Sequence, residues 1–379
     1  MRILLNNSTV DPDLATIANA RRVTINGKYL TAPLNGVHRV AGILTRSLLS
    51  NSADQLGTSI ETRVLAPPQA ADAPQFVEFS AQSVRGLLTS GQYWENVTLP
   101  LHSWNDVLIS FCNLAPVIHP NSVVMIHDAQ TFLKPDDYSD RQAKAYRKLL
   151  PIVGKSARLV LTISNFAKQS LIKYGIAPAE RIRIVPNGGD HILWQQADDK
   201  VLKTNKLTGS RYYFAVGSTK RYKNIARLFE VFRQPEFANR RLVLAGGADA
   251  EAYKRAGHTA PPNVEFTGMV SDPQLRSLYE NAHAFLFPSQ TEGFGLPPIE
   301  AMFCRCPVVA ANAGAMPEIC ATGARFAHPE DTAQWVSAIL ALDSVENRSE
   351  LINAGAARSQ ALTWDQSRNY LIRALMELV

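Results

Sequence analysis

The sequence predicts an α/β protein made of two doubly wound, Rossmann-like domains, and three observations carry that expectation. The chain has 379 residues, a length that suggests two domains of ordinary size. Short apolar runs, each followed by a polar or glycine-containing loop and then a helix-period segment, recur in both halves, as in a parallel sheet covered by helices. Residues 284–303 then read as strand, glycine loop and helix start, the arrangement with which such folds hold phosphate groups.

Taken in order, residues 1–190 form the expected first domain. Arg2–Asn6 reads as an opening strand, and 7–32 is ambiguous. Asp11-Pro12-Asp13 is a D-x-D in letter, but Pro12 and its turn context make it a poor metal site. Gly36-Val37-His38-Arg39 then opens a segment with Val40, Ile43, Leu44, Leu48 and Leu49 on a helical period. Residues 50–105 carry little pattern, and the prolines of 66–74 mark a loop. Asp106–Phe111 is a candidate strand. Val123–Ile126 is another, ending in His127-Asp128, and Leu159–Ile163 is followed by Ser164-Asn165, a helix N-cap signal. Arg181–Asp190 closes the domain through the Asn187-Gly-Gly turn.

Residues 191–210 are polar and aperiodic, and read as a linker. The second domain, 211–363, opens with the strand Tyr213–Gly217 and the loop Ser218–Asn224. A helix follows with Ile225, Leu228, Phe229 and Phe232 on one face. Arg241–Gly247 and Val264–Asp272 each give a strand and its loop, and Leu275, Leu278 and Tyr279 a helix. A final helix over 364–379 completes the chain.

Composition narrows the class of function. Apolar content of 46% and charge of 19% fit large cores. The four cysteines, Cys112, Cys304, Cys306 and Cys320, lack zinc spacing and read as buried thiols in a reducing compartment. No stretch approaches a membrane span, and the first residues are too short and polar for a signal peptide; a cytoplasmic protein is expected. Net charge is +6, and residues 1–190 carry 19 Lys+Arg against 14 Asp+Glu. The excess gathers at Arg141, Lys144, Arg147, Lys148, Lys155 and Arg158. This is either a solvated helix face or a basic patch for an anionic inner leaflet or a lipid diphosphate. No aromatic-interleaved basic motif points to nucleic acid.

The chemistry concentrates at 288–300, Pro-Ser-Gln-Thr-Glu-Gly-Phe-Gly-Leu-Pro-Pro-Ile-Glu. Pro297 and Pro298 suit a first helical turn, where a missing N–H costs nothing. Free amides at the helix start, including that of Leu296, attract anions, and Gly293 and Gly295 permit close backbone approach. Glu292 and Glu300 would repel a bare phosphate, but each can accept hydrogen bonds from hydroxyls on either side of one. A ligand with hydroxyls at both ends and a diphosphate between them is a nucleotide sugar. Taken singly, Glu300 is equally a capping carboxylate and Glu292 a solvated loop residue.

Glu292-Gly-Phe-Gly-Leu-Pro with Glu300 resembles the E-x7-E signature of retaining glycosyltransferases of GT-B fold, family 4, which includes transferases of bacterial surface polysaccharides. The resemblance covers nearly the whole chain and is strongest over 214–325. It implies two Rossmann-like domains facing a cleft, with the last helix crossing back to the first domain. It implies that Glu300 holds the ribose, that Glu292 and His127 hold the transferred sugar, and that Lys223 and the amides of the Gly293-Phe294-Gly295-Leu296 loop neutralise the diphosphate. Gly36-Val-His38-Arg39 resembles a family loop near the donor phosphates and the acceptor. Ser218 and Arg221 lie in the diphosphate loop, where Tyr222 stands in the place of the usual arginine. Val270 lies in the segment that meets the base. Ser164 matches a family serine near the cleft, though capping explains it equally. Arg305 stands where the family has glycine, and a left-handed backbone there would cost about 1 kcal/mol.

The implied activity is retaining hexosyl transfer, with no metal and no cofactor besides the nucleotide-sugar substrate. Mannose from GDP-mannose is the first choice and UDP-glucose the second. The expected acceptor is a lipid-diphosphate-linked oligosaccharide or another saccharide, with peripheral contact at the inner leaflet. A GT-B epimerase or phosphorylase, or an inactive nucleotide-sugar-binding scaffold, are the competing readings.

Overall fold

The computed structural model describes residues 22–33, 35–50, 61–86 and 91–378. The expected strand at 2–6 and the Asp11-Pro-Asp13 triplet lie outside the described residues.

Two parallel sheets form the frame. The first has seven strands: β1 Arg22–Asn26, β2 Glu61–Ala66, β3 Gln82–Ser83, β4 Val107–Ser110, β5 Ser122–Met125, β6 Leu159–Thr162 and β7 Ile182–Ile184, in the order β3-β2-β1-β4-β5-β6-β7. The second has six: β8 Tyr212–Val216, β9 Arg241–Ala245, β10 Val264–Gly268, β11 Ala284–Phe287, β12 Val308–Ala311 and β13 Ala324–Ala327, in the order β10-β9-β8-β11-β12-β13. Each sheet therefore grows outward in both directions from its first strand. The order reverses between β1 and β4 in one sheet, where Val23 pairs Val107, and between β8 and β11 in the other, where Ala284 pairs Tyr213. Open sheets of this kind hold ligands beyond the strand carboxyl ends at such a reversal.

Inner strands such as β11 and β12 are apolar and buried along their whole length because helices cover both faces, whereas β3 and β10, at the sheet edges, carry polar and exposed residues. Val123, Val124, Met125 and Ile126 are fully buried, each contributing roughly 1.5–3 kcal/mol of transfer free energy. Helix starts follow side-chain chemistry. The Ser139 hydroxyl accepts from the Gln142 amide to begin helix Asp140–Ser156, and Ser164 accepts from the Ala167 amide to begin Asn165–Lys173. Asn35 does the same for Gly36–Ser50, its side-chain oxygen accepting from the His38 amide at 3.0 Å.

The last helix, Trp364–Met376, crosses back to pack on helix Gly36–Ser50 of the first domain. Arg183 and Glu377 pair at 2.6 Å, and the Ser367 hydroxyl donates to the Pro186 carbonyl. A side chain at Gly188 would collide with the Trp364 backbone, so glycine there is what lets the helix cross. The two sheets with this crossover form the GT-B arrangement.

Three segments hold structure that the sequence pattern did not show. Strands β1, β2 and β3 lie in segments where the pattern was ambiguous or blank, because β1 is only five residues long and β3 pairs through two. The proline-rich 66–74 stretch carries a 3-10 turn, Pro68–Ala70, and begins helix Pro74–Glu78. The 191–210 segment holds helix Lys200–Thr204, docked against helix Asp272–Asn281, where Asp199 accepts from Ser277 at 2.6 Å.

Candidate active site

The loops that follow β8 and β11 meet at the reversal point of the second sheet. Lys223 ends a 3-10 turn, Arg221–Lys223, and its ammonium donates to Glu292 at 2.7 Å. The lysine lies over the rings of Tyr222 and Phe287, 5.4 and 5.8 Å from their centroids. Tyr222, in the place expected for arginine, is thus a buried floor under Lys223. Asn224 adopts the left-handed backbone that turns the chain into helix Ile225–Phe232, a conformation asparagine tolerates. Arg221 is exposed. Its amide and that of Tyr222 donate to Asp137 of the first domain at 2.6 and 3.2 Å, so an anion from the facing domain occupies them.

The loop after β11 is held as tightly. Gly295 has φ +89° and a side chain there would strike Met316, while Gly314 approaches the Glu292 backbone amide. Helix Leu296–Phe303 starts with its two prolines in the first turn. Gly293 serves a purpose the sequence did not suggest: a Cβ there would lie 2.7 Å from the His127 carbonyl oxygen, so this glycine admits the opposite domain rather than a ligand. Phe294 is buried in the core, which leaves its backbone alone to face a ligand. Leu296 is half-buried against the same core.

Across the cleft stand His127 and Asp128. The His127 ring is buried, and its Nε2 lies 2.8 Å from the Phe111 carbonyl. A carbonyl only accepts, so Nε2 carries the hydrogen and Nδ1 is the acceptor left for a ligand hydroxyl. Burial pushes the imidazole pKa down to about 4, against the upward pull of the Phe111 carbonyl. Burial pushes Asp128 up to about 6, opposed by the Gln130 amide and assisted by the nearby Glu292. Ser164 caps its helix and also donates to the Gly293 carbonyl at 2.6 Å, so the capping and cleft readings both hold.

Glu300 is not a free carboxylate. His191 Nε2 lies 3.1 Å from one of its oxygens, and the Tyr279 hydroxyl donates to the other at 3.2 Å. The Trp364 indole N–H donates to His191 Nδ1 at 3.1 Å. That makes Nδ1 an acceptor and Nε2 the donor toward Glu300. Glu300 is thus oriented by protein groups on both of its oxygens. Its first partners are protein groups, and only its remaining lone pairs can take a ligand.

Arg39 is likewise engaged. It forms a two-pronged pair with Asp272 of the second domain, at 2.5 and 2.8 Å. Burial works to raise the Asp272 pKa, and the Arg39 fork overcomes it, so the carboxylate titrates below its ordinary range. In this arrangement Arg39 is a strut between the domains. His38 Nδ1 is held by the Pro33 carbonyl at 2.7 Å. Gly36 begins the helix in open space. Ser218 and Val270 are half-buried beyond the ends of β8 and β10, on the cleft side of the sheet.

Sequence reasoning missed several partners. Asp137, His191, Tyr279 and Glu95 stand in no motif quoted for the site, and Asp272 ends the Val264–Asp272 segment with no role of its own assigned. Glu318, whose carboxylate accepts from the amides of Asn165 and Phe166 at 2.8 and 3.1 Å, anchors a first-domain helix start from the second domain. His191 directly follows the Asn187-Gly-Gly-Asp turn, the one signal that was available. Among the described residues no group of three or more His, Cys, Asp or Glu is placed to hold a metal ion, and the cysteines are free thiols.

Fold and site together define a two-domain protein with a cleft between facing sheet ends, where Lys223 and Glu292 pair across from His127 and Asp128. Residues 197–358 match the family model described as glycosyl transferases group 1, and 66–191 that of Glycosyltransferase Family 4. The O-antigen chain mannosyltransferase RfbU of Salmonella typhimurium is 27% identical over 269 residues, 70% of this chain and 73% of that protein. The O-antigen chain mannosyltransferase B of Escherichia coli is 28% identical over 264 residues, 67% and 69% of the two chains. Among solved structures, the Anabaena protein HepE in complex with UDP and glucose superposes with TM-score 0.70 at 16% identity, over 94% of this chain and 99% of that one. WaaG, a glycosyltransferase involved in lipopolysaccharide biosynthesis, gives 0.64 at 17%, over 90% and 97%. The chain belongs to the GT-B glycosyltransferases, with a family 4 region followed by a group 1 region.

Proposed function

We propose that the protein is a retaining hexosyltransferase that moves mannose from GDP-mannose to a saccharide acceptor, lipid-linked, in surface polysaccharide assembly. The observation that carries this is the Lys223–Glu292 pair, 2.7 Å apart at the reversal point of the second sheet and opposite His127. Lys223 exchanges its bond to Glu292 for the donor diphosphate and stabilises the charge that develops on the departing nucleotide. Glu292, released, accepts from hydroxyls of the transferred sugar, and His127 Nδ1 accepts from another. Glu300, oriented by His191 and Tyr279, takes the ribose hydroxyls on its remaining lone pairs. Front-face attack, with the leaving phosphate drawing the proton from the acceptor hydroxyl, gives retention. The cationic side chain and loop amides make a metal ion unnecessary, so EDTA leaves the rate unchanged.

The mannose assignment is supported by the mannosyltransferase relatives at 27–28% identity. The lipid-linked acceptor is supported by helix Asp140–Ser156, where Arg141, Lys144, Lys148 and Lys155 are exposed, a face suited to an anionic leaflet. No described helix is long and apolar enough to cross a membrane. A thermal-shift series with GDP, UDP, dTDP and ADP, then the matching sugar nucleotides, tests the reading. A ligand that binds only the folded state raises its melting temperature. The rise is expected with GDP and GDP-mannose; a rise with UDP alone would replace the donor, and none at millimolar ligand would refute the site.

A further inference from the structure

The crossover helix contributes more than packing. Trp364, its first residue, is buried, and its indole lies 5.8 Å, centroid to centroid, from the His191 ring. The Trp364 amide donates to Asp190 at 2.7 Å, and the Gly189 amide to the Leu362 carbonyl at 2.9 Å. The same turn packs against the helix that carries Glu300, since a side chain at Gly189 would meet Ile299 at 2.6 Å. Three segments far apart in sequence are thereby fixed around His191: its own turn, the start of the last helix, and helix Leu296–Phe303.

The indole decides the state of the imidazole. An indole N–H donates and never accepts. Trp364 Nε1 donates to His191 Nδ1 at 3.1 Å, so that nitrogen keeps its lone pair. The ring is then neutral, with its hydrogen on Nε2, 3.1 Å from Glu300 Oε1. Without the indole hydrogen the ring has two other states. With hydrogen on Nδ1 alone, the Nε2 lone pair faces the carboxylate and turns it away. With hydrogen on both nitrogens, the imidazolium pairs with Glu300 and neutralises it. Either state spoils a carboxylate that has to accept from ligand hydroxyls. The other Glu300 oxygen is held by the Tyr279 hydroxyl at 3.2 Å. Burial, with Glu300 beside it, raises the Tyr279 pKa well above its ordinary range, so this hydroxyl stays a donor. Glu300 is thus aimed from both sides, and one of the two settings originates on the helix that packs on Gly36–Ser50 of the first domain.

We propose that Trp364 is a positioning residue for nucleotide recognition: by fixing His191 in its Nε2–H form, it holds Glu300 for the paired 2′- and 3′-hydroxyls of the ribose. The proposal rests on the assignment of Glu300 to the ribose. Titration calorimetry with GDP and 2′,3′-dideoxy-GDP, and with the corresponding UDP pair, tests it on wild type and Trp364→Phe. The wild type is expected to favour the ribose form by roughly tenfold to a hundredfold, the effect of hydrogen bonds to a charged acceptor. Trp364→Phe, which removes the N–H and keeps a buried ring, should shrink that preference to roughly threefold or less and bind the dideoxy form as the wild type does. A merely structural role for the indole would weaken both forms alike; that result, or an unchanged preference, overturns the proposal. Nitrogen-15 NMR of the histidines in nucleotide-loaded wild type decides the matter should Trp364→Phe fail to fold. His191, assigned by its loss in His191→Gln, is expected with its hydrogen on Nε2 alone, and a hydrogen on Nδ1 overturns the proposal. A wild type that binds GDP or UDP but does not distinguish it from the dideoxy form removes the ribose assignment, and this proposal with it. A wild type that binds neither nucleotide removes the donor site itself.

Discussion

The crevices at the two reversal points share a topology and differ in construction. The one in the second domain is completed from outside: Asp137 reaches over to the amides of Arg221 and Tyr222, Ser164 to the Gly293 carbonyl, and Gln130 to the Thr291 carbonyl at 3.1 Å. The one in the first domain is built from its own strands and helices, around a Glu95 carboxylate already paired with Asn26 and Lys28. The difference teaches that the donor crevice depends on domain closure, whereas the first-domain crevice is preformed. Arg39–Asp272 and Glu318 at the start of helix Asn165–Lys173 hold the closed arrangement.

The largest expected effect breaks the donor crevice alone. Glu292→Gln keeps the shape but loses the charge that holds sugar hydroxyls. Transfer should fall by roughly 10²–10³-fold, measured as product formed from GDP-mannose, with the GDP thermal shift largely kept. Survival of turnover would remove Glu292 from its role.

Next comes pH. His127 titrates near 4 in the folded protein, below its ordinary value, so the unfolded chain takes up its proton first and stability is lost as pH falls from about 6.5 toward 4. Asp128 is raised to about 6, so its contribution has the opposite sign: it favours the folded state at low pH and is lost as pH rises through about 6. The two oppose one another between pH 4 and 6. Asp128→Asn should therefore be more stable than wild type at pH 7, by up to about 3 kcal/mol, with the gap closing as pH falls to 4. Denaturant melts across that range measure it; a gap that widened on acidification would contradict the assignment.

A smaller effect addresses closure. Asp272→Asn should weaken the Arg39 strut by about 1 kcal/mol, the pair being only partly buried. Small-angle scattering should show a wider cleft and kinetics a higher donor KM. The smallest concerns loop geometry. Arg305 has φ +54°, the left-handed backbone anticipated at that position. Arg305→Gly should relieve about 1 kcal/mol of strain, reduced by the loss of its 3.2 Å bond to Asn353 and by the entropy of glycine. A net gain of a few tenths in melting experiments is the expectation.

The two crevices were also unequally legible from sequence. The donor loops advertise themselves because their requirements are local. Gly295 needs its left-handed backbone, Pro297 and Pro298 suit a helix start, and Lys223 and Glu292 come from loops that each follow an apolar strand. The first-domain cavity has no such marker. Glu95 lies amid residues without periodicity, and its partners Asn26 and Lys28 are 69 and 67 positions away. Partners acquired across the cleft were invisible for the same reason: nothing near Arg39 announces Asp272, and nothing near Glu300 announces Tyr279 or His191. Gly293 was legible as a point of close approach, but not as one made by the backbone of the opposite domain.

The central claim is that the second-domain crevice binds a nucleotide sugar through Lys223. Isothermal titration of GDP, UDP, dTDP and ADP into wild type and Lys223→Ala tests it most directly. The account predicts that GDP binds the wild type and that the substitution weakens it by roughly tenfold or more, the loss of a charge-assisted bond to phosphate. Equal GDP affinity in the two proteins, or no nucleotide binding to a folded wild type, would contradict it.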